Sequence, residues 1–294
     1  MDVGVGCIIF SSGLVSSVQF RTGSSPPFKA SVRSSLSMLI MGLLRMAMVK
    51  FFGYQEHVSE YGIHWNFFMT LAVLPILSNL LSRLVAIRKF ISVSLLISFL
   101  YEIALKFVPL EPFILDGIRT NLFTMNKEGI FSLFGCLSLF MLSCGVGTII
   151  QNTKEAKVKN RFKLLLLKLL GLLIVNWIIY FGVKRIGLVP SRRLMNFPFI
   201  LWTSAVSLTH ITLLFIMDMC FPNVQNQSVL MTSVNDNQLL IFLLANLGTG
   251  LVNMLFQTLL VSRPVSFAII TCYSLVLCLT AFWLKKLSLR FRLK

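Results

Sequence analysis

The sequence predicts an all-α, polytopic integral membrane protein with about nine transmembrane helices. Hydrophobic residues make up 56% of the 294 positions and charged residues only 13%, whereas charged residues are about a quarter of a soluble domain. The mean hydropathy is +0.84, and the apolar residues form blocks long enough to cross about 30 Å of hydrocarbon. Because a backbone in lipid must satisfy its own hydrogen bonds, we expect each block to be a helix.

Each predicted helix corresponds to one apolar block, and we expect all of them to form one domain over residues 1–294. The first two blocks give the weakest signals, because one is short and the other carries Arg45. The next five blocks are long and apolar, the eighth contains a row of polar residues, and the ninth follows an Arg263-Pro264 turn. The predicted spans are 3–19, 36–52, 63–82, 90–108, 129–150, 163–183, 197–219, 237–260 and 265–284.

The basic residues lie mostly on one side of these predicted helices. Lys and Arg number 27 against 10 Asp and Glu, which gives a net charge of +17. Basic clusters follow the first, third, fifth and ninth spans, so the positive-inside rule places that side and the C-terminus in the cytosol. The lipid bilayer therefore accounts for the charge, and we predict no nucleic-acid partner. Four residues break the rule by falling on the opposite side: Lys184, Arg185, Arg192 and Arg193.

A polar segment between the second and third spans carries candidate catalytic side chains. If it is helical, His57, Glu60 and His64 lie on one face at i, i+3 and i+7. Such a face suits proton transfer at a substrate, and a zinc site would need the same alignment. The alternative is a polar interfacial turn, with Tyr61 and Trp65 as aromatic anchors at the headgroups. A helix break at Gly62 would also undo the alignment.

Two arginines, Arg192 and Arg193, come directly before the seventh span. Paired guanidinium groups at a helix entrance bind phosphate through forked donors, and the helix N-terminus adds a positive field. The alternative is an ordinary pair of charges at the membrane edge, and the sequence favours neither interpretation.

The eighth span carries a polar row at i, i+4, i+7 and i+11, formed by Asn246, Gly250, Asn253 and Gln257. Amides in lipid need partners, so we expect this face to turn inward, where it serves helix packing or contacts substrate.

Other ionisable residues within the spans are isolated. Arg45, His210 and Asp218 are candidates for function or for pairing inside the membrane. Glu102 and Lys106 are spaced at i and i+4, and we expect them to pair with each other.

Known chemical motifs are missing from the sequence. The six cysteines lack CxxC or Cys/His spacing, so we predict neither a disulfide framework nor a metal site. GxSxG, P-loop and HExxH patterns do not occur either, and the residues alone name no reaction.

A resemblance to a known family supplies what the motifs do not. The segment GYQEHVSEYGIHWNFF at residues 53–68 resembles a signature of the GPI-anchor inositol acyltransferases, the Gwt1/PIG-W family. Further stretches are similar to that family in the same order: residues 1–6 with Phe10, 126–130, 191–193, and 237–246 continuing through 249–253. On these stretches the chain is identified as a member of the family.

The resemblance implies an O-acyltransferase of the endoplasmic reticulum membrane, active in GPI-anchor biosynthesis. Such an enzyme transfers a fatty acyl chain, palmitoyl, from acyl-CoA to the inositol 2-hydroxyl of glucosaminyl-phosphatidylinositol. Acyl-CoA is then a co-substrate, and no cofactor is implied. The catalytic candidates are Glu56, His57, Glu60 and His64. The substrate-binding candidates are Arg192, Arg193, Trp65, Asn66, Asn246 and Asn253.

Family members are longer than this sequence and carry further acidic and basic residues before the stretch that matches residues 1–6. We therefore expect the sequence to be an N-terminally truncated member. One alternative is a catalytically inactive isoform or a membrane assembly partner. Another is a lipid or ion transporter, which the lack of inverted repeats disfavours.

Overall fold

The computed structural model describes residues 2–20, 27–51, 58–156, 160–221, 228–256 and 260–289, and no strand occurs within these ranges. The helices are α1 (Asp2–Ser16), α2 (Phe28–Phe51), α3 (Val58–Tyr61), α4 (Phe67–Leu84), α5 (Phe90–Phe107), α6 (Leu110–Asp116), α7 (Leu122–Met125), α8 (Lys127–Glu155), α9 (Arg161–Arg185), α10 (Phe197–Cys220), α11 (Val229–Asp236), α12 (Gln238–Leu255) and α13 (Arg263–Lys286). Short 3₁₀ helices at Ser17–Phe20 and Ile87–Lys89 extend α1 and lead into α5.

The helices confirm the predicted fold class, an all-α polytopic membrane protein. Within the described ranges, eight helices are long and apolar enough to cross a membrane. The count rises to nine if Val229–Asp236 and Leu240–Leu255, which meet at 89°, form one broken span. The eighth predicted span, 237–260, corresponds to α12 alone, because α11 lies before it, and each of the other predicted spans overlaps one long helix.

The chain divides into two compact units, Met1–Cys220 and Phe221–Lys294. In the second unit α13 packs against both α11 and α12. The Tyr273 hydroxyl donates to the Ala245 carbonyl at 2.7 Å, and the Asn237 amide donates to the Leu289 carbonyl at 2.9 Å. Whether the two units fold as one domain, as the sequence predicted, stays a prediction.

Helix α8 is the centre of the first unit. It packs against α1, α4, α5, α9 and α10, and its middle turns are buried on all sides. The side chains of Leu139, Phe140 and Met141 are almost completely inaccessible and belong to the main apolar cluster. A helix that is apolar all round is expected at the centre of such a bundle.

Hydrogen bonds between the helices satisfy polar groups in the apolar interior. The Ser138 hydroxyl of α8 donates to the Ser94 carbonyl of α5 at 2.7 Å. The Asn176 amide of α9 donates to the Ser204 hydroxyl of α10, also at 2.7 Å. All six cysteines are free thiols, as predicted, and Cys144 donates to a backbone carbonyl of α1. Small polar side chains of this kind hold membrane helices together.

The alternating direction of the helices gathers several connections at one end of the first unit. This end, called the site end below, holds the first residues of α1, α4, α8 and α10 and the last residues of α5 and α9. The connecting segments 58–66, 108–126 and 186–196 meet there, since hydrogen bonds join the first of them to each of the other two. Four of the residues predicted to be functional, Glu60, His64, Arg192 and Arg193, lie in these segments.

Candidate functional site

The segment before α4 is a short helix followed by a turn. Helix α3 ends at Tyr61, because Gly62 takes a φ of +110° that other residues rarely adopt. A Cβ atom at Gly62 would also lie 2.6 Å from the Asn126 Cα. The condition for placing Glu60 and His64 on one helical face is therefore not met, and the helix break at Gly62 is confirmed. Glu56 and His57 lie outside the described residues.

The same segment is fixed against the start of α8. The Ile63 amide donates to the Met125 carbonyl at 3.0 Å, and the His64 amide donates to the Asn126 side chain at 2.8 Å. The Trp65 ring lies against Gly129, whose missing side chain leaves room for it. Two stretches that the resemblance singled out, 53–68 and 126–130, thus pack directly on each other.

Arg192 is held by an extensive set of contacts at the site end. Its two terminal nitrogens donate to the two carboxylate oxygens of Glu60, at 3.2 and 2.5 Å. The Asp2 carboxylate lies 3.6 Å away, and the guanidinium carbon is 5.6 Å from the centroid of the Tyr61 ring. Such a bidentate pair fixes geometry as well as charge.

Burial and neighbouring charges shift the pKa values of Arg192 and Tyr61. Burial is the largest influence and opposes the charge on Arg192, but the hydrogen bonds that it donates to Glu60 and the nearby Tyr61 and Glu60 groups together outweigh burial, so the pKa of Arg192 lies above its usual value. Burial raises the pKa of Tyr61 to about 12, and the nearby Arg192 charge offsets this only in part. Arg192 therefore stays charged and Tyr61 stays neutral at physiological pH.

Arg193 has a different environment. Its Nε atom donates to the Ser59 carbonyl at 2.8 Å, and no carboxylate among the described residues pairs with it. A guanidinium has five N–H donors, so most of those on Arg193 remain available. Arg193 lines a cavity of about 440 Å³ whose other walls come from Asp2, Ser59, Glu60, Pro190, Ser191 and Arg192. Cavities of this size hold small-molecule groups.

Two buried polar residues position the loop that carries both arginines. Asn196 accepts from the Ser191 amide at 2.9 Å and donates to the Val189 carbonyl at 3.0 Å. Glu102 of α5 accepts from the Phe197 amide at 3.0 Å, where a carboxylate also suits the positive end of helix α10. The loop therefore presents Arg192 and Arg193 from a fixed frame.

The predicted pairing of Glu102 with Lys106 is wrong. Lys106 instead bonds Glu111 of α6 at 2.8 Å, because α5 ends one residue after Lys106 and the chain then turns back. The i and i+4 spacing within α5 could not predict the contact of Lys106 with Glu111 or that of Glu102 with the Phe197 amide.

The GWT1 family model matches residues 1–284 of the chain. The chain belongs to the GWT1 family. This confirms the resemblance that residues 53–68 and the other matching stretches suggested.

Curated relatives are similar along the whole chain. It is 34% identical over 313 aligned positions to GPI-anchored wall transfer protein 1 of Yarrowia lipolytica, an alignment that covers 100% of this chain and 66% of that protein. The proteins of the same name from Schizosaccharomyces pombe and Candida albicans are 33% and 32% identical, with 100% of this chain and 65% and 68% of those proteins covered. The chain thus spans slightly less than two thirds of the first two relatives.

Three more of the predicted catalytic or substrate-binding residues of this GWT1-family chain, His64, Trp65 and Asn66, form hydrogen bonds within the first unit. The Nδ1 atom of His64 lies 3.1 Å from the Lys50 ammonium, which can only donate, so this ring nitrogen accepts. The Trp65 indole donates to the Thr70 hydroxyl at 2.9 Å. Asn66 caps α4 by accepting from the amides of residues 68 and 69, and it donates to the Gly42 carbonyl of α2 at 2.8 Å. Direct contact of these residues with substrate stays a prediction.

Replacing Asn66 by alanine is expected to reduce the stability of the first unit by about 1–2 kcal/mol, since one helix cap and one hydrogen bond between helices are lost. The measurement is the thermal unfolding midpoint of the purified protein in detergent. Asn246→Ala is the matched control, because the Asn246 amide returns to its own helix and is exposed. Equal midpoints for the two variants would contradict the assigned cap.

The polar row of α12 differs from its prediction. Asn246 is exposed and donates to the Phe242 carbonyl of its own helix at 2.8 Å. The face that α12 turns towards α13 includes Gly248 and Thr249 instead. Asn253 is half-buried, and Gln257 lies outside the described residues. The expected inward orientation is therefore wrong for Asn246, and substrate contact by Asn246 or Asn253 stays a prediction.

The isolated ionisable residues of the spans also lie on the outside. Arg45, His210 and Asp218 are exposed in the structure, and His210 contacts only a carbonyl of its own helix among the described contacts. None of them belongs to the cavity at the site end.

Sequence reasoning gave no role at the site to Asp2 or Ser59, and it placed Tyr61 only among aromatic anchors. Asp2 and Ser59 line the cavity, and Tyr61 lies beside Arg192. Asp2 and Ser59 belong to stretches that resemble the GWT1 family, which is the signal that singles them out in the sequence.

Proposed function

We propose that this chain forms the lipid-headgroup site of a transferase in GPI-anchor biosynthesis. The reaction is transfer of a fatty acyl chain from acyl-CoA to the inositol 2-hydroxyl of glucosaminyl-phosphatidylinositol, in the endoplasmic reticulum membrane. Family membership and the name of the curated relatives support the pathway. The polar cavity at the site end supports the place where the headgroup binds.

The observation that carries this proposal is the contrast between the two arginines. Arg192 is neutralised by Glu60 and Asp2, so it positions the cavity wall and is not the phosphate ligand. Arg193 lines the same cavity, has donors besides the one that Ser59 accepts, and carries a charge that a lipid phosphate can neutralise. We therefore assign the inositol phosphate to Arg193 alone, which refines the prediction that both arginines bind it.

The acyl transfer needs a base for the inositol hydroxyl and donors for the thioester oxygen. Glu60 is engaged by both terminal nitrogens of Arg192, which suits a positioning role better than proton transfer. Of the described candidates, this leaves His64 for proton transfer, which requires that Lys50 release the Nδ1 lone pair that it now contacts. Acyl-CoA serves as co-substrate.

The membrane orientation follows from the distribution of charge. The basic connections at the end opposite to the site end face the cytosol, so the cavity opens on the lumenal side. The C-terminus is then cytosolic. This orientation explains two of the basic residues that break the positive-inside rule, because Arg192 and Arg193 serve the site.

Replacing Arg193 by alanine is expected to reduce formation of acylated glucosaminyl-phosphatidylinositol by about 10- to 100-fold, since a charge-assisted phosphate contact is lost. The measurement uses cells without their own inositol acyltransferase that express this chain, with product quantified by mass spectrometry of extracted lipids. Arg193→Lys is expected to restore part of the activity, because it keeps the charge and loses the fork.

Arg88→Ala is the matched control, since Arg88 is an exposed arginine in the connection before α5 at the opposite end. It is expected to leave product formation unchanged. No product from a parent chain that reaches the membrane would contradict the proposed reaction for these residues. Equal activity of Arg193→Ala and Arg88→Ala would contradict the assigned phosphate ligand.

A further inference from the structure

Helix α9 carries an apolar groove on its outer side. The groove has a volume of about 1020 Å³ and is lined from Leu173 to Arg185. Ile174, Ile178 and Phe181 contribute to it and are each more than half exposed. Gly182 deepens the groove, because a Cβ atom there would meet nothing within 4 Å. The lining residues recur every three to four positions, so they share one face of the helix.

The aromatic wall of the groove is held in place. The Trp177 indole donates to the Thr209 hydroxyl of α10 at 3.3 Å, which fixes the orientation of the ring. The Phe181 ring stacks on Trp177 with centroids 5.4 Å apart and planes inclined by 23°. A wall built in this way presents a shaped apolar surface and not only a row of mobile side chains.

Two cations close the groove at the site end. Lys184 and Arg185 are exposed, and no carboxylate among the described residues pairs with either of them. They also stand on the side of the membrane where the positive-inside rule disfavours basic residues. Lys184 and Arg185 do not line the cavity that Arg192 and Arg193 line. The site proposed there therefore does not explain the charges of Lys184 and Arg185.

The length of the groove matches one leaflet of a bilayer. From Leu173 to Gly182 the helix rises about 14 Å at 1.5 Å per residue, close to half of the hydrocarbon thickness of about 30 Å. Lys184 and Arg185 therefore lie at the level of the lipid headgroups when the groove lies along the acyl chains. Apolar length, aromatic wall and paired cations together fit one class of molecule.

We propose that this face of α9 is a binding site for an anionic glycerophospholipid of the adjacent leaflet. Lys184 and Arg185 bind the phosphate-bearing headgroup, and one acyl chain lies in the groove against Trp177 and Gly182. The site is independent of the reaction assigned to the cavity at the site end.

The test uses quenching of Trp177 by lipids that carry bromine on an acyl chain. The full chain is reconstituted in phosphatidylcholine bilayers with brominated phosphatidylglycerol or brominated phosphatidylcholine at equal mole fraction. The fluorescence of Trp177 is obtained by subtracting the fluorescence of the Trp177→Phe variant from that of the parent chain. Quenching by the anionic lipid is expected to exceed that by phosphatidylcholine about three-fold or more, since two cations attract it.

Three variants separate a built site from a general lipid boundary. Lys184→Gln combined with Arg185→Gln is expected to remove the excess quenching. Gly182→Leu is expected to remove it as well by filling the groove with both charges kept. Gly171→Leu, at an equally open position outside the groove, is expected to retain it.

Equal quenching by the two lipids in the parent chain would overturn the proposal. Excess quenching that survives loss of both cations would overturn the headgroup assignment. Excess quenching that survives Gly182→Leu would show that the charges attract lipid without the groove.

Discussion

Replacing Gly135 by alanine is expected to separate α8 from the loop that carries Arg192 and Arg193. A Cβ atom at Gly135 would lie 1.9 Å from the Met195 carbonyl oxygen and 2.9 Å from its carbonyl carbon. The obstacle is backbone, so no side-chain rotation relieves the collision. Met195 already has a φ of +50°, which is uncommon for a residue with a side chain, and the turn has little freedom to adapt.

The expected effect of Gly135→Ala is a loss of about 1–3 kcal/mol or more in stability, together with loss of the Arg192–Glu60 pair. The thermal midpoint in detergent, followed by tryptophan fluorescence, measures it. Gly171→Ala is the matched control, because nothing lies within 4 Å of a Cβ atom there and alanine favours helix. A midpoint for Gly135→Ala as high as that of Gly171→Ala would contradict the close approach of α8 and the loop.

Replacing Glu128 by alanine is expected to cost about 3–5 kcal/mol, because it leaves the Arg119 charge without its buried partner. The Glu128 side chain is completely inaccessible, and both of its oxygens accept from the Arg119 guanidinium, one at 3.0 Å. Arg119 also donates to the Met125 carbonyl at 3.1 Å. The pair thus ties the connection after α6 to the first turn of α8.

The measurement for Glu128→Ala is unfolding in mixed micelles titrated with dodecyl sulfate. Glu111→Ala is the control, since the Lys106–Glu111 pair has a similar length, 2.8 Å, but side chains that are 44% and 30% exposed. That change is expected to cost less than about 1 kcal/mol. The double variant with methionine at both 119 and 128 is expected to recover most of the loss. Equal costs for Glu128→Ala and Glu111→Ala would mean that burial does not govern the pair.

The membrane spans were predictable because hydropathy depends on short stretches of sequence. Their ends were less so. Helix α2 begins at Phe28 and not at residue 36. Its first turns carry Lys29 and Arg33, so hydropathy did not include them in the predicted span. The start of the eighth span was an exception, since it was predicted at residue 237 and α12 begins at Gln238, directly after α11.

The candidate site was predictable only in its parts. Glu60 and Arg192 each stood out in the sequence, but their pairing joins positions 132 residues apart. The inclusion of His64 on the same face failed because Gly62 ends α3. Glu102 was assigned to a local pair, since helical spacing takes no account of a loop that approaches from another part of the chain.

The sequence by itself determined the fold class, the approximate spans and membership of the family. Composition, hydropathy and short stretches that match the family in order can all be read from the sequence without knowing which residues are in contact. Only the tertiary structure decided that Arg192 is neutralised and that Arg193 keeps free donors at the cavity. The physical reason is that ion pairing depends on distances of a few ångströms between side chains. Helix packing around α8 sets those distances, and no pattern along the chain encodes them directly.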